Sequence, residues 1–187
     1  MEDIWFYIRS DYYRYYGTLD GVSKWRMVKT ALFSSQNLGF KYSFWLRLCS
    51  RPNPFYIIAK HFHQKWSLRL GVYIPASTKI GYGLYIGHPN SIVVNERTVI
   101  GNNVNIGQML SVGSNHGTPA TIEDEVYIGP SVCLVENVHI GQRAIIGAGS
   151  VVVHDVPSQT TVAGVPAKVI GPNNHPEYIQ NKFETCF

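Results

Sequence analysis

From Ile74 onward an aliphatic residue returns every six positions, at Ile74, Ile80, Ile86 and Ile92. The phase slips by two and resumes at Ile100, Ile106 and Val112; after a surplus of four it continues through Ile122, Ile128, Leu134, Ile140, Ile146 and Val152. Eight of these thirteen positions are followed by glycine (Gly81, Gly87, Gly101, Gly107, Gly113, Gly129, Gly141, Gly147), and a small or apolar residue often stands four places on, as at Val104, Val126, Val132, Ala144 and Ser150. Neither a 3.6-residue helical period nor two-residue strand alternation produces this spacing. It predicts a solenoid with three short flat faces per coil, one aliphatic side chain per face pointing to the axis. Glycine beside it is expected to accept the backbone angles of the bends. Thirteen units predict slightly more than four coils.

Residues 1–70 lack the period. Asp20 is a candidate cap for a helix over Ser23–Phe33, and Phe40–Cys49 and Phe55–Leu70 are expected to be further helices split at Arg51-Pro-Asn-Pro. Val156-Pro157 and Gly164-Val-Pro166 are expected to end the period, and the polar stretch from Pro172 to Cys186-Phe187 to form a short helix or a loose tail. The organisation expected is therefore a helical region over 1–70, a mainly β solenoid over 71–171 and a tail over 172–187.

With 187 residues, 45% hydrophobic, and a mean hydropathy of −0.05, a mainly disordered chain is excluded. No apolar run approaches the roughly 18 residues of a spanning helix. Met1-Glu-Asp-Ile lacks the basic-then-apolar order of a signal peptide, and three scattered cysteines (Cys49, Cys133, Cys186) support neither a disulfide framework nor a CxxC zinc site. A reduced, cytoplasmic protein is expected. The net charge of +4 is unevenly spread: all twelve acids lie outside residues 21–95, and ten of the sixteen Lys and Arg lie inside. The same stretch carries Trp25, Phe33, Phe40, Trp45, Tyr56 and Trp66. This suits peripheral contact of residues 21–70 with a membrane face or an acidic glycan; the plainer alternative is solvated cations over an aromatic core. No nucleic-acid motif accompanies the charge.

The interruptions of the period are where chemistry is expected. They are Gly87-His88-Pro89-Asn90, beside the two-residue slip, and Ser114-Asn115-His116-Gly117-Thr118-Pro119, the bulge between Val112 and Ile122. The lattice places them close in height, on faces able to meet across a subunit boundary. The run Ile80-Gly-Tyr-Gly-Leu-Tyr-Ile-Gly-His88 with Ile92-Val-Val-Asn-Glu96, and Ile146-Gly-Ala-Gly-Ser-Val-Val with Asp155-Val-Pro and Ala163-Gly-Val-Pro-Ala-Lys168, resembles the hexapeptide-repeat O-acetyltransferases, serine acetyltransferases above all. The resemblance covers about residues 71–171. It implies a left-handed β-helix, a homotrimer with active sites in the clefts between subunits, and direct transfer of acetyl from acetyl-CoA, a co-substrate, with no metal.

An alcohol is a poor nucleophile at neutral pH, so transfer to it needs a base, and imidazole has the right pKa range. By position in the family motif that base is His88. Backbone N–H groups at Gly113 and Ser114 are candidates for the oxyanion. The resemblance further implies pantetheine contacts at Gly113, Ser114, Pro130 and Ala148, and a phosphate contact for Lys168, which is otherwise a solvated end-of-solenoid charge. His116 is either a substrate contact or a solvated loop residue. His139 and His154 are expected to be structural residues on repeat turns, and Cys133 a buried packing residue.

Three departures bear on the acceptor. Serine acetyltransferases usually carry aspartate before the catalytic histidine, where this chain has Gly87. The bulging loop Ser114–Thr121 contains no Arg or Lys for a carboxylate, and the chain ends in Phe187 rather than isoleucine. The expected acceptor is accordingly a sugar or glycan hydroxyl, held by Asn90, Asn95, Asn115 and His116, as in acetyltransferases of polysaccharide biosynthesis. Serine O-acetylation and a non-catalytic solenoid scaffold are the alternatives.

Overall fold

The computed structural model describes residues 3–185; Cys186 and Phe187, and Met1 and Glu2, lie outside them. Four helices open the chain: α1 (Ile4–Tyr16), α2 (Lys24–Phe33), α3 (Leu38–Cys49) and α4 (Tyr56–Leu70). The sequence pattern missed α1 and placed the cap of α2 three residues early. Ser23, not Asp20, takes the cap, its hydroxyl accepting from the Arg26 N–H at 3.2 Å.

Fifteen short strands follow, fourteen of them winding a parallel three-faced solenoid. Face A stacks β1 (Val72–Tyr73), β4 (Ile92–Val94), β7 (Ser111–Gly113), β10 (Cys133–Val135) and β13 (Val151–Val152). Face B stacks β2 (Lys79–Ile80), β5 (Val99–Ile100), β8 (Thr121–Ile122) and β11 (His139–Ile140). Face C stacks β3 (Tyr85–Ile86), β6 (Asn105–Ile106), β9 (Tyr127–Ile128), β12 (Ile145–Ile146) and β14 (Thr160–Gly164), closed by β15 (Ala167–Pro172), which folds back antiparallel on β14. The predicted aliphatic lattice is the core: all thirteen positions except the half-buried Ile80 are at most 2% exposed.

The lattice differs from the expected one in three respects. The coils number five. After Val152 the next inner residue comes four places on, at Val156, and then six on, at Val162; Val156 bridges Ile140, and Val162 pairs with Ile146. The inner column of face A runs Val94, Val112, Leu134, Val152, so the two extra residues of the first slip fall before Val94, in the corner that holds His88. And the repeat glycines do not serve left-handed backbone. The corners take positive φ at Asn103, Met109, Glu125, Ser131 and Arg143 instead. A Cβ on Gly107 would come within 2.7 Å of the backbone of Gly129 and Pro130, and one on Gly129 within 2.8 Å of Ala148 N. These glycines are required by the close approach of successive coils.

The tail is not loose. Beyond a 3-10 turn at Pro176–Tyr178 it runs along the solenoid, where the Asn105 amide donates to the Tyr178 carbonyl at 2.7 Å and Asn103 exchanges hydrogen bonds with the backbone of Phe183.

At the first coil β3 is the edge of face C, and backbone groups from Ile80 to Ile86 meet side chains from α1 and α3. Asp11 accepts from Leu84 N–H at 2.8 Å and Ser10 from Gly83 N–H at 2.9 Å. Arg47 donates to the carbonyls of Ile80 and Gly81 and holds Asp11 through two 2.9 Å bonds. Arg14 donates to the Gly83 carbonyl at 2.8 Å, and the Tyr15 hydroxyl bridges the N–H and C=O of Ile86. Burial pushes the Asp11 carboxyl upward, opposed by the Arg47 guanidinium; burial also lowers Arg14 to about 10.

Removing one partner of a buried ion pair strands the other, so Asp11→Ala is expected to lower stability by about 3–5 kcal/mol in urea unfolding. Gly129→Ala, which overpacks the coil contact, should cost about 1–3 kcal/mol in the same measurement. Gly113→Ala, whose Cβ meets nothing within 4 Å, should leave the midpoint unchanged.

Candidate active site

The two interruptions occupy the two long edges of face A. Gly87-His88-Pro89-Asn90-Ser91 forms the corner from β3 to β4, on the C–A edge, with His88 exposed over a buried Pro89. Its geometry is held from below by Tyr15 on Ile86 and by α3, where a Cβ on Gly39 would run into the Ile86 carbonyl. The corner above locks on through the Met109 N–H, which donates to the Asn90 carbonyl at 2.9 Å. The edge then climbs by two equivalent bonds, Ser131 N–H to Gln108 and Gly149 N–H to Pro130, both 2.8 Å. His88, Asn90, Pro130 and Ala148 therefore line one edge over three rungs, about 14 Å at about 4.8 Å each. Lys168, exposed on β15 opposite Ala163, follows at the end of the solenoid.

Asn95, Gly113, Ser114, Asn115 and His116 lie on the other, A–B, edge, one coil higher than His88 for the loop. Within one chain they do not meet His88. All of them but His116 line an open cleft of about 660 Å³, together with Tyr73, Glu96 and Arg97. The Asn95 amide oxygen accepts from the Arg97 N–H at 3.0 Å.

The sequence pattern missed Glu136. One coil above the loop, its carboxylate accepts from the Ser114 hydroxyl at 2.7 Å and from the N–H groups of Asn115 and His116 at 3.1 and 3.2 Å. The signal was available: Val112 pairs with Leu134, so Ser114 and Glu136 are separated by the same single coil. These three bonds, led by the Ser114 hydroxyl, hold the carboxyl below the ordinary carboxylate range. Glu96 and Arg97 were likewise passed over, because their closeness to the loop exists only once β4 and β7 are stacked.

Cys133 is half-buried and points outward from face A in register with Ser111 and Val151, not into the core. His139 lies on β11 rather than on a turn, with its Nε2 3.0 Å from Glu123; His154 is exposed in a corner. Of the eight repeat glycines, six are in tight contact with a neighbouring coil. Gly87 and Gly113, one on each edge, are the two that are not: a Cβ would meet only the Tyr85 ring at 3.6 Å in the first case and nothing in the second.

A hexapeptide solenoid with an exposed histidine on one edge and a charged cleft on the other defines a transferase class, and the comparisons agree. Residues 119–154 match the family described as bacterial transferase hexapeptide (six repeats). Serine acetyltransferase of Escherichia coli is 40% identical over 109 residues, 56% of this chain and 40% of that protein. The chain thus spans about two fifths of the length of that curated relative. Among solved structures, serine acetyltransferase of Neisseria gonorrhoeae in complex with serine is 32% identical with a TM-score of 0.70, covering 88% of this chain and 68% of that one. Serine acetyltransferase of Brucella abortus in complex with coenzyme A is 27% identical with a TM-score of 0.69, covering 90% and 68%. The chain belongs to the hexapeptide-repeat O-acetyltransferases of the serine acetyltransferase-like type.

Because the folded-state pKa of Glu136 is depressed, its anchoring of the loop is complete above the ordinary carboxylate range and is lost as pH falls through the depressed value. Glu136→Ala should bring amide exchange at Asn115 and His116 to the rate of an unprotected loop at neutral pH. In the unaltered chain the same loss should appear only on acidification, read by hydrogen exchange.

Proposed function

We propose that this chain transfers acetyl from acetyl-CoA to the hydroxyl of serine, with His88 as general base. The hydroxyl proton passes to the imidazole as the oxygen attacks the thioester carbonyl. The carbon–sulfur bond then breaks and the proton is handed to the departing thiolate, giving O-acetylserine and free coenzyme A. The observation that carries the serine reading is that Glu96 and Arg97 both line the cleft that holds Gly113–Asn115. A carboxylate and a guanidinium are the complements an amino acid's ammonium and carboxylate require, and they come from the coil beneath the loop, which has no cation of its own. The relatives carry serine in their names, and one was solved with it bound. On these grounds serine displaces the glycan hydroxyl as the leading acceptor.

The coenzyme fits the C–A edge, where Pro130 and Ala148 lead from His88 toward Lys168, a point charge for its phosphates. Gly113 and Ser114 belong to the opposite edge, so their role as oxyanion donors requires a second copy. A contact between one copy's C–A edge and another's A–B edge is heterologous and closes only as a ring. Three copies of a three-faced prism satisfy this, with the exposed Tyr73 and Val93 of face A inside the ring. The glycan reading is kept by one feature: Gly87 leaves no carboxylate beside His88, and the neutral Asn90 and Asn115 suit an uncharged alcohol.

Thiol release from acetyl-CoA, measured with serine and with a panel of sugars, separates the two. Turnover with serine is expected, and turnover with a sugar alone would reverse the assignment. His88→Ala should lower kcat by about 10²–10⁴-fold, or about 3–5 kcal/mol of barrier, with unchanged far-ultraviolet circular dichroism. Gly87→Asp, which the site has room for, should lower KM for serine if serine is the acceptor and leave sugar turnover no better.

A further inference from the structure

The helical region carries an exposed apolar face that the solenoid does not cover. On α4 the residues Ala59, Phe62 and Trp66 pack inward, and the opposite stripe is Ile57, His61, Gln64 and Leu68, at spacings of four, three and four. Ile57 is 83% and Leu68 79% exposed. Lys60 lies on one side of that stripe, and Lys65 and Arg69 on the other. On α2 the outward stripe is Trp25, Lys29 and Phe33, with Trp25 61% and Phe33 79% exposed and the Lys29 ammonium 5.5 Å from the Trp25 ring. The two helices flank the same stretch of α3: the Lys41 ammonium lies 4.8 Å from the Trp66 ring of α4 and 3.5 Å from the Leu32 carbonyl of α2.

We infer that α2 and α4 dock this face on an anionic lipid bilayer, their apolar side chains entering the headgroup boundary and their cations meeting the lipid charges. Apolar anchors interleaved with Lys and Arg are what an interfacial helix needs, since long cationic side chains keep their heads at the polar surface. Charge selects the occupant. No carboxylate occurs between residues 21 and 95, so this face set against the same face of a second copy would oppose cations to cations. An anionic membrane supplies the complement along the whole surface, at about 1 kcal/mol per Lys or Arg near it. No helix among the described residues is long and apolar enough to cross a membrane, so the contact is one of lying on the surface. It is independent of which hydroxyl is acetylated.

Co-sedimentation of the full chain with vesicles tests it, using phosphatidylcholine alone and phosphatidylcholine mixed with phosphatidylglycerol. Partition onto the mixed vesicles at physiological ionic strength, falling as salt is raised, is expected. Lys60→Ser/Lys65→Ser/Arg69→Ser should weaken it about 10²-fold, and Ile57→Ser/Leu68→Ser at least about tenfold. All of these positions are exposed, and both variants should keep wild-type circular dichroism and thiol release. His88→Ala should partition as the unaltered chain does, which separates this contact from the acetyl-transfer reading. Absence of partition onto mixed vesicles, or equal partition onto both kinds, would overturn the inference. So would a light-scattering mass that falls when Ile57 and Leu68 are replaced, because the face would then join copies of the chain.

Discussion

A parallel solenoid must begin somewhere, and where it begins a strand faces no further coil. Here the first coil's segment from the end of β2 at Ile80 through the corner to β3 at Ile86 is such an edge, and its unpaired amides and carbonyls would cost heavily if buried without partners. The Asp11–Arg47 pair answers this: the two side chains are 0% and 5% exposed, and between them they serve Leu84, Ile80 and Gly81 as well as each other. A buried ion pair is weak evidence for stability by itself. This one also works as a hydrogen-bonding surrogate for the missing coil. His88 is the second residue beyond Ile86, whose backbone Tyr15 grips from the same helix as Asp11. The edge that carries the imidazole is thus held by the helical region from below as well as by the next coil from above.

The same arrangement explains why α1 was invisible in the sequence while the solenoid was plain. A helix is recognised by an apolar stripe, but part of the buried face of α1 is Ser10, Asp11 and Arg14, alongside Ile8 and Tyr12. Its partners are backbone groups seventy residues away, which no local pattern records. The inner aliphatics repeat because each stacks on its like in the next coil, a constraint written at every sixth residue. The fifth coil escaped because its A–B corner is two residues shorter, which moves Val156 and Val162 off the counted lattice.

The candidate site was legible as a departure from the repeat, and its geometry was not. His88 stands out because the chain leaves its period there, and the loop Ser114–Pro119 stands out for the same reason. That the two lie on opposite edges of face A follows only from the stacking, as do the anchoring of the loop by Glu136 and the presence of Arg97 beneath it. A loop without a basic residue looks unfit for a carboxylate when read along the chain. Read across the coils, the guanidinium is one rung away.

The two unconstrained glycines bear on how the edges of face A are used. Gly81, Gly101, Gly107, Gly129, Gly141 and Gly147 are explained by the distance between coils, so their identity says nothing about ligands. Gly87 and Gly113 have no such explanation, and each sits where extra residues lift the chain off the lattice. A side chain at either place would project into open space from an edge of face A. Their smallness keeps clear the surface beside the imidazole on one edge and beside the charged cleft on the other. That is the pattern expected if those edges are where a flat, extended thioester and a small acceptor must slide in between two copies of the chain, with the helical region free to face elsewhere.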